Sequence, residues 1–367
     1  MLFDPRPKQD KKDLFGRDLE LSSLLNSLRS ECPLILLLGV RRVGKTSLLK
    51  VALKEAGQPY IYLDLRSLED TGFSRTSLYR MLSDELSRLY STQEKLREYL
   101  KKVRGIEIAG FKIELNWGSD KLLLSSLFKA LNDWVEESND SHLILAFDEA
   151  QLLRFMAGGK GKINFRSLLA YSYDNLPNLK FVLTGSEVGL LMSFIGAENP
   201  ESPLYGRYRE EILLEKFNRE KSIKFLEAGF KEHNIEPDFN ILQKVVDKLD
   251  GIVGWLTYYG YKAVREKKLN SEILESVFEE AKAITSRELE KIVQRSKYYK
   301  LVLKAIALEN NQWSNIKRIV EAWCERPISN AHLTRILKNL IKLGVVQKAN
   351  GKYQIIDPVV KEVAKKY

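Results

Sequence analysis

The sequence predicts an α/β protein: a parallel sheet wrapped by helices, continued by an all-helical segment and closed by a winged helix-turn-helix. Three observations predict it. The run Gly39-Val40-Arg41-Arg42-Val43-Gly44-Lys45-Thr46 lies between an apolar stretch at 33–38 and a helical pattern that starts at Ser47, which is a strand–loop–helix setting. Apolar runs at 60–65, 141–149 and 179–184 alternate with helical periodicity, as strands of a buried parallel sheet do. Near the end, Ala349-Asn350-Gly351 separates two alternating runs, and Asn-Gly in that position is the strongest short hairpin signal.

Each element follows in order. Residues 14–17, Leu-Phe-Gly-Arg, lead into an amphipathic helix at 18–29, then the strand at 33–38, the glycine-containing loop and its helix. A second strand covers 60–65, and a long helical pattern covers 75–102. Alternation around Ala109-Gly110 predicts a small hairpin over 103–117, followed by a helix near 120–137. The strand at 141–149 ends in Asp148-Glu149. The glycine- and lysine-rich stretch 156–162 reads as a loop, and a helix near 163–175 leads to the strand at 179–184. From about 215 to 290 the pattern is helical, broken at Glu236-Pro237 and at 251–254. Helices at 297–309, 314–323 and 329–343 precede the terminal hairpin. At ~100–200 residues per domain the chain accommodates two or three domains, and these patterns place them at 1–212, 213–290 and 291–367.

The loop at 39–46 has the G-x-x-x-x-G-K-T form of a phosphate-binding P-loop. Its glycines let backbone amides close around an anion at a helix N-terminus. Gly39, Arg41, Arg42, Val43, Gly44, Lys45, Thr46 and Ser47 are therefore nucleotide-binding candidates. Lys45 is expected at the β- and γ-phosphates and the Thr46 hydroxyl on Mg²⁺. Arg41 and Arg42 occupy variable positions, where one contacts phosphate or both face solvent. Five apolar residues followed by Asp148-Glu149 read as a Walker B strand end, with Asp148 holding Mg²⁺ and Glu149 orienting the attacking water. Thr184 ends the next strand. Its hydroxyl reaches the γ-phosphate or the lytic water, unless this is an ordinary strand-to-loop turn. Arg207 and Arg209 are either phosphate-stabilising cations, in cis or across an oligomer, or salt-bridged loop residues.

The net charge of +10 is unevenly distributed: residues 291–367 carry 16 Lys/Arg against 5 Asp/Glu, and the preceding 290 residues sum to about −1. A basic winged helix fits double-stranded DNA. The second helix of its helix-turn-helix unit, near 329–343, offers Ser329, Asn330, His332, Thr334, Arg335 and Lys338, with Ile336, Leu337, Leu340 and Ile341 toward the core; its wing offers Lys348, Asn350 and Lys352. Winged helices also serve as protein-interaction modules. Cys32 and Cys324 are the only cysteines and the three histidines are scattered, so no thiol or histidine metal site is expected. With no signal-like or eighteen-residue apolar run, a cytoplasmic protein is expected.

Together these motifs resemble the archaeal ATPase family of AAA+/STAND-like P-loop proteins. The resemblance rests on Phe15-Gly16-Arg17 with Glu20-Leu21, the P-loop, Asp148-Glu149-Ala150-Gln151, and Ser202-Pro-Leu-Tyr-Gly-Arg207. It implies ATP/ADP and Mg²⁺ as cofactors, ATP rather than GTP, an adenine pocket near Phe15, Gly16 and Arg17, and a lid whose glycine segment approaches the nucleotide. That segment here is Gly251-Ile-Val-Gly254-Trp255-Leu256, which departs from the Gly-Gly-x-Pro form common in relatives. The expected function is an ATP-driven switch that presents the winged helix to DNA. The alternatives are a DNA-binding regulator or replication-initiator-like protein with a mainly structural nucleotide, or a STAND-type interaction scaffold.

Overall fold

The computed structural model describes residues 1–93, 95–110, 112–115, 122–138, 140–157, 163–196 and 198–367. In chain order it contains α1 (Asp18–Arg29), β1 (Leu34–Leu38), α2 (Lys45–Glu55), β2 (Tyr60–Asp64), α3 (Ser67–Thr71), α4 (Arg75–Tyr90), α5 (Leu96–Leu100), β3 (Ile106–Ala109), β4 (Lys112–Leu115), α6 (Leu124–Glu136), β5 (Leu143–Asp148), α7 (Phe165–Asn175), β6 (Leu179–Gly185), α8 (Val188–Ile195) and β7 (Glu210–Leu213). Helices α9 (Arg219–Lys231), α10 (Phe239–Leu249), α11 (Val253–Glu266) and α12 (Ser271–Val293) form a lid. The C-terminal part comprises α13 (Lys297–Ala307), α14 (Trp313–Cys324), α15 (Asn330–Lys342), β8 (Val346–Ala349), β9 (Lys352–Ile355) and α16 (Pro358–Lys365).

Five parallel strands run in the order β2-β5-β6-β1-β7. Every residue of β1, β5 and β6 is buried, which is why these strands read as continuous apolar runs. Edge strand β2 alternates instead, keeping Tyr60, Tyr62 and Asp64 half-buried. One core lies on the face covered by α4, α6 and α7; a second fills the other face and continues without a break into the lid through Phe217, Leu249 and Leu256. A third core belongs to the winged helix. Among the described residues no helix is long and apolar enough to cross a membrane.

Three expectations change. The long helix over 75–102 is two helices, because Ser91 and Thr92 turn their hydroxyls back onto the carbonyls of Arg88 and Leu89 and end α4. The fifth strand, β7, is only four residues long and escaped the reading of the sequence; it pairs with β1. Helix α16 was also missed. Asp357 caps it by accepting from the Val359 amide at 2.8 Å, and Pro358 sits in its first turn. Asp357 also accepts from Trp255 Nε1 at 3.0 Å, tying α16 to the lid. The hairpin is present as β3–β4, its Ile113 and Leu115 amides donating to Ser87 and Ser83 hydroxyls of α4. Residues 111 and 116–117 of that expected hairpin, and 158–162 of the expected loop, lie outside the described residues.

Candidate functional site

Because the sheet is parallel, the C-terminal ends of its strands lie together. Leu38 is level with Gly185, and Asp64 with Asp148. Such an edge is where α/β sheets place ligands. The loop after β1 requires glycine at 39: a Cβ there would fall 2.5 Å from the Leu214 carbonyl oxygen. Gly44, at φ +97°, caps α2. Above this edge lies a cavity of about 970 Å³, walled by the P-loop, the lid and the first residues of the chain.

Lys45 begins α2 and is buried, its Nζ donating to the carbonyls of Gly39 at 2.6 Å and Val40 at 2.8 Å. Burial pushes its ammonium down to about 8, although Glu149 and Asp148 work in the opposite direction. Thr46 Oγ1 donates to Asp148 Oδ2 at 2.8 Å, and the Tyr62 hydroxyl donates to the same oxygen at 3.0 Å. Burial, then Asp148 and Asp64, raise Tyr62 above the ordinary phenol value, so it remains a donor. Glu149 adopts a left-handed backbone, φ +57°. Its Oε2 accepts from Gln151 Nε2 at 2.6 Å, Ser186 Oγ at 2.7 Å and the Ser186 amide at 3.2 Å. Burial opposes its ionisation, but Lys45 and these donors outweigh burial and hold the carboxyl below its ordinary value.

Several expected site residues stand elsewhere or act differently. Thr184 is fully buried and does not face the cavity. Its hydroxyl donates to Asp148 Oδ1 and accepts from the Glu149 amide at 3.0 Å, so it braces both acids from behind. Arg207 precedes β7 and pairs with Asp174, which lies just before β6, at 2.6 Å. Both therefore sit at the opposite end of the sheet, and Arg207 cannot reach the P-loop of its own chain; Arg209, beside it, pairs with Glu211. Arg41 and Arg42 neither turn to the loop's interior nor stand free. Arg41 lies 3.3 Å from Glu187 and 3.5 Å from Glu288; Arg42 lies 2.5 Å from Glu288 and stacks on Trp255 at 4.2 Å. They bolt the P-loop to the lid. Val43 is a core side chain, and Ser47 Oγ accepts from the Lys8 amide at 3.0 Å.

The Phe15-Gly16-Arg17 box divides its labour. Phe15 lines the cavity, edge-on to Phe217 and Phe225 at 6.3 and 5.6 Å. Gly16 turns at φ +63° and offers its carbonyl to Lys221 Nζ at 2.8 Å. Arg17, 4% exposed, ties the Val43 carbonyl to the Glu215 carbonyl at 3.0 and 2.7 Å, fixing the P-loop to the start of the lid. The 251–255 segment does reach the cavity. The Gly254 amide donates to the Arg42 carbonyl at 2.9 Å, and a Cβ at Gly254 would lie 2.8 Å from Arg42 Cβ. Val253, Gly254 and Trp255 line the space.

Residues 14–258 match the ATPase domain family described as predominantly from Archaea. The chain belongs to that family. Residues 292–356 match the C-terminal winged helix-turn-helix domain of MCM proteins. The whole chain aligns with the whole of the Walker-type ATPase PABY2304 of Pyrococcus abyssi, at 39% identity and a TM-score of 0.84. It also aligns over 100% of its length with 97% of the Aeropyrum pernix ORC2 protein, solved as ADPNP and ADP complexes, at 16% identity and a TM-score of 0.60, a likeness of fold. No curated protein matches. The chain is thus a member of the ATPase domain family that carries a winged helix, and nucleotide binding is implied.

In the winged helix, α15 exposes Arg335, Lys338 and Lys342 along one stripe that borders a shallow groove with Asn330 and Thr334. Ser329 is spent as the α15 cap and His332 packs edge-on to Tyr298 at 5.0 Å. Ile336, Leu337 and Leu340 are buried, and Ile341 is half-buried. Asn350 and Gly351 both have positive φ, as a two-residue hairpin turn requires. The C-terminal end of α15 is not free. A Cβ on Gly189 of α8 would fall 2.6 Å from Lys342 Cα, one on Gly344 would lie 3.0 Å from the Ser186 carbonyl, and Leu343 reaches the nucleotide cavity.

Tyr62, Ser186, Phe217, Phe225 and the N-terminal residues around the cleft have no role in the expectations from sequence, and Gln151 enters them only as the last residue of the Asp148–Gln151 motif. Only Gln151 and Ser186 had a usable signal, being polar residues directly after the buried strands β5 and β6.

Proposed function

We propose that this protein is a Mg²⁺-dependent switch that binds and hydrolyses ATP and couples its nucleotide state to a winged helix that engages double-stranded DNA. The observation that carries the coupling is the packing of the α15 end on residues 186–189: Ser186 holds the Glu149 carboxylate from one side of that loop and is met by Gly344 from the other.

Lys45 exchanges its two carbonyl partners for the β- and γ-phosphates, and the amides at the start of α2 face the same anion. Thr46 Oγ1, at the cavity wall, and the buried Asp148 Oδ2 form a pair of hard oxygen donors, the donor chemistry Mg²⁺ prefers. Mg²⁺ held there supplies positive charge to the phosphate oxygens. Thr184 and Tyr62 position Asp148, and Glu149, released from Ser186 and Gln151, orients the attacking water. The stack of Phe15, Phe217 and Phe225 offers the base an aromatic, desolvated wall.

One observation favours a second reading, a DNA-binding regulator with a mainly structural nucleotide: a carboxylate taking three donors on one oxygen is a weak base. ATP turnover with and without duplex DNA at low salt separates the two. The switch requires turnover that DNA changes. DNA binding without such a change supports the regulator, and turnover with no DNA affinity moves the winged helix to a protein partner.

A further inference from the structure

Residues 4–8 line the nucleotide cavity, and the chain on either side of them is anchored on both of its banks. On the lid side Phe3 is 2% exposed, its ring packed against Phe225 at 5.7 Å and Phe230 at 4.9 Å and stacked on His233 at 6.4 Å. The socket is cut by two helical glycines, Gly229 of α9 and Gly260 of α11: a Cβ on either would fall inside the van der Waals envelope of the Phe3 ring. Neither glycine has a positive φ, so backbone conformation does not call for them; the ring does. The Leu2 amide adds a bond to Glu232 Oε2 at 2.7 Å. On the P-loop side the Lys8 amide donates to Ser47 Oγ at 3.0 Å, and Lys54 at the far end of α2 pairs with Asp10.

Between these anchors residues 4–8 run along the cavity and form part of its wall, next to Phe15 and Ser47. Pro5 and Pro7 fix their own φ and bias Asp4 and Arg6 toward extended backbone. The segment is therefore a stiff rod that transmits movement of its ends. Lys8 Nζ closes it further by donating to the Asp4 carbonyl at 2.7 Å.

We propose that residues 4–8 are a wall of the nucleotide site at its base end, seated by Phe3 in the lid, and that this wall sets how long a nucleotide stays bound. The inference rests on the nucleotide-binding reading above and adds a binding element to it. Because one anchor is on the lid and the other beside the P-loop, the wall is complete only when lid and sheet are in register. Unseating Phe3 opens the base end while leaving the phosphate end, with Lys45, Thr46 and Asp148, untouched. The effect therefore falls on nucleotide release and not on the bond-breaking step.

The test is the dissociation rate of a fluorescent ADP from the full-length protein, chased with unlabelled ADP, together with single-turnover hydrolysis of saturating ATP. Gly260→Ala displaces the ring while favouring helix α11 by propensity; Phe3→Ala removes the ring directly. Both are expected to speed release by at least about tenfold, since a decade in rate needs far less than truncation of a buried phenylalanine removes. Single-turnover hydrolysis is expected to stay within about twofold of the parent, and the double variant to release no faster than Phe3→Ala alone, because both changes act on one contact. Parent-like release from both single variants overturns the proposal while leaving nucleotide binding intact. A parent protein that takes up no fluorescent ADP overturns the nucleotide reading and this inference together.

Discussion

The nucleotide cleft and the winged-helix surface use charge in opposite ways. In the cleft, Lys45, Asp148 and Arg17 are buried and paired: Asp148 takes hydroxyls from Thr46, Tyr62 and Thr184, and Arg17 bridges two carbonyls. On α15 the cations Arg335, Lys338 and Lys342 stand exposed in a row. Buried polar groups are costly unless paired, so their pairing defines one geometry. Exposed lysines cost little in any arrangement and define only a field, which salt screens. The cleft therefore specifies a chemistry by position, whereas the winged helix specifies a class of partner by sign of charge. The two meet at residues 186–189, where a buried hydrogen-bonded loop is packed against the end of the exposed helix.

The contrast is broken most strongly at Glu149. Glu149→Gln keeps the shape of the side chain and its ability to bond Ser186, but cannot accept a proton. Turnover is expected to fall by about 10²–10⁴-fold, the range of a general base, with ATP affinity within a few-fold of the parent. Calorimetry for binding and phosphate release for turnover check both halves; a variant that still turns over at the parental rate removes Glu149 from the chemistry.

Lys45 gives a pH signature with a definite sign. Burial depresses its ammonium from 10.5 to about 8, and a phosphate beside it favours the charged form again. Nucleotide binding above about pH 8 then takes up a proton, and affinity is expected to fall by up to about tenfold per pH unit toward 10.5. Stability without nucleotide runs the other way. The unfolded chain holds the Lys45 proton more tightly than the fold does, so this residue's contribution to stability rises with pH across that window. Binding enthalpies at pH 8.5 in buffers of different ionisation enthalpy read the uptake directly. No uptake, with tight binding retained, means that Lys45 does not meet the phosphates.

Gly189 tests the junction. Alanine is a better helix former than glycine by about 1 kcal/mol, yet its Cβ meets the backbone of Lys342 at 2.6 Å, a clash no rotamer relieves. Gly189→Ala is expected to shift α15 off α8. Duplex DNA should then bind several-fold more tightly at low salt, by the order of a kcal/mol or less, and with a steeper salt dependence as the C-terminal end of α15, undocked from α8, can approach a phosphate. Unchanged binding and an unchanged salt slope mean that the docked end of α15 lies outside the DNA interface.

What could be read from the sequence follows the same division. The P-loop, Asp148-Glu149 and the Asn350-Gly351 hairpin are local patterns in which a few adjacent residues carry the whole physical argument, and the structure places their elements as read. The strap at residues 4–8 carries no local signal; its role depends on Phe3 finding two glycines more than 220 residues away. Helix α16 is one short amphipathic stretch whose partners lie on α12 and α13. Thr184 stands out in the sequence as a hydroxyl at a strand end, but strand alternation alone does not tell whether it faces the phosphates or the back of Asp148.

Arg207 is the smallest effect and the most discriminating one. Its ion pair with Asp174 is partly exposed and contributes at most about 1 kcal/mol, so Arg207→Ala should fold and melt almost as the parent does. Lying at the wrong end of the sheet for its own P-loop, it can touch phosphate only in a neighbouring molecule. At low protein concentration turnover is expected to be unaffected. If copies associate with this edge facing the next cleft, the parent's specific activity rises with concentration and that of Arg207→Ala does not, because a transferred arginine adds charge at the γ-phosphate. Equal activity of the two proteins across the concentration range would leave Arg207 as the partner of Asp174 and nothing more, and would mark the cleft as complete within one chain.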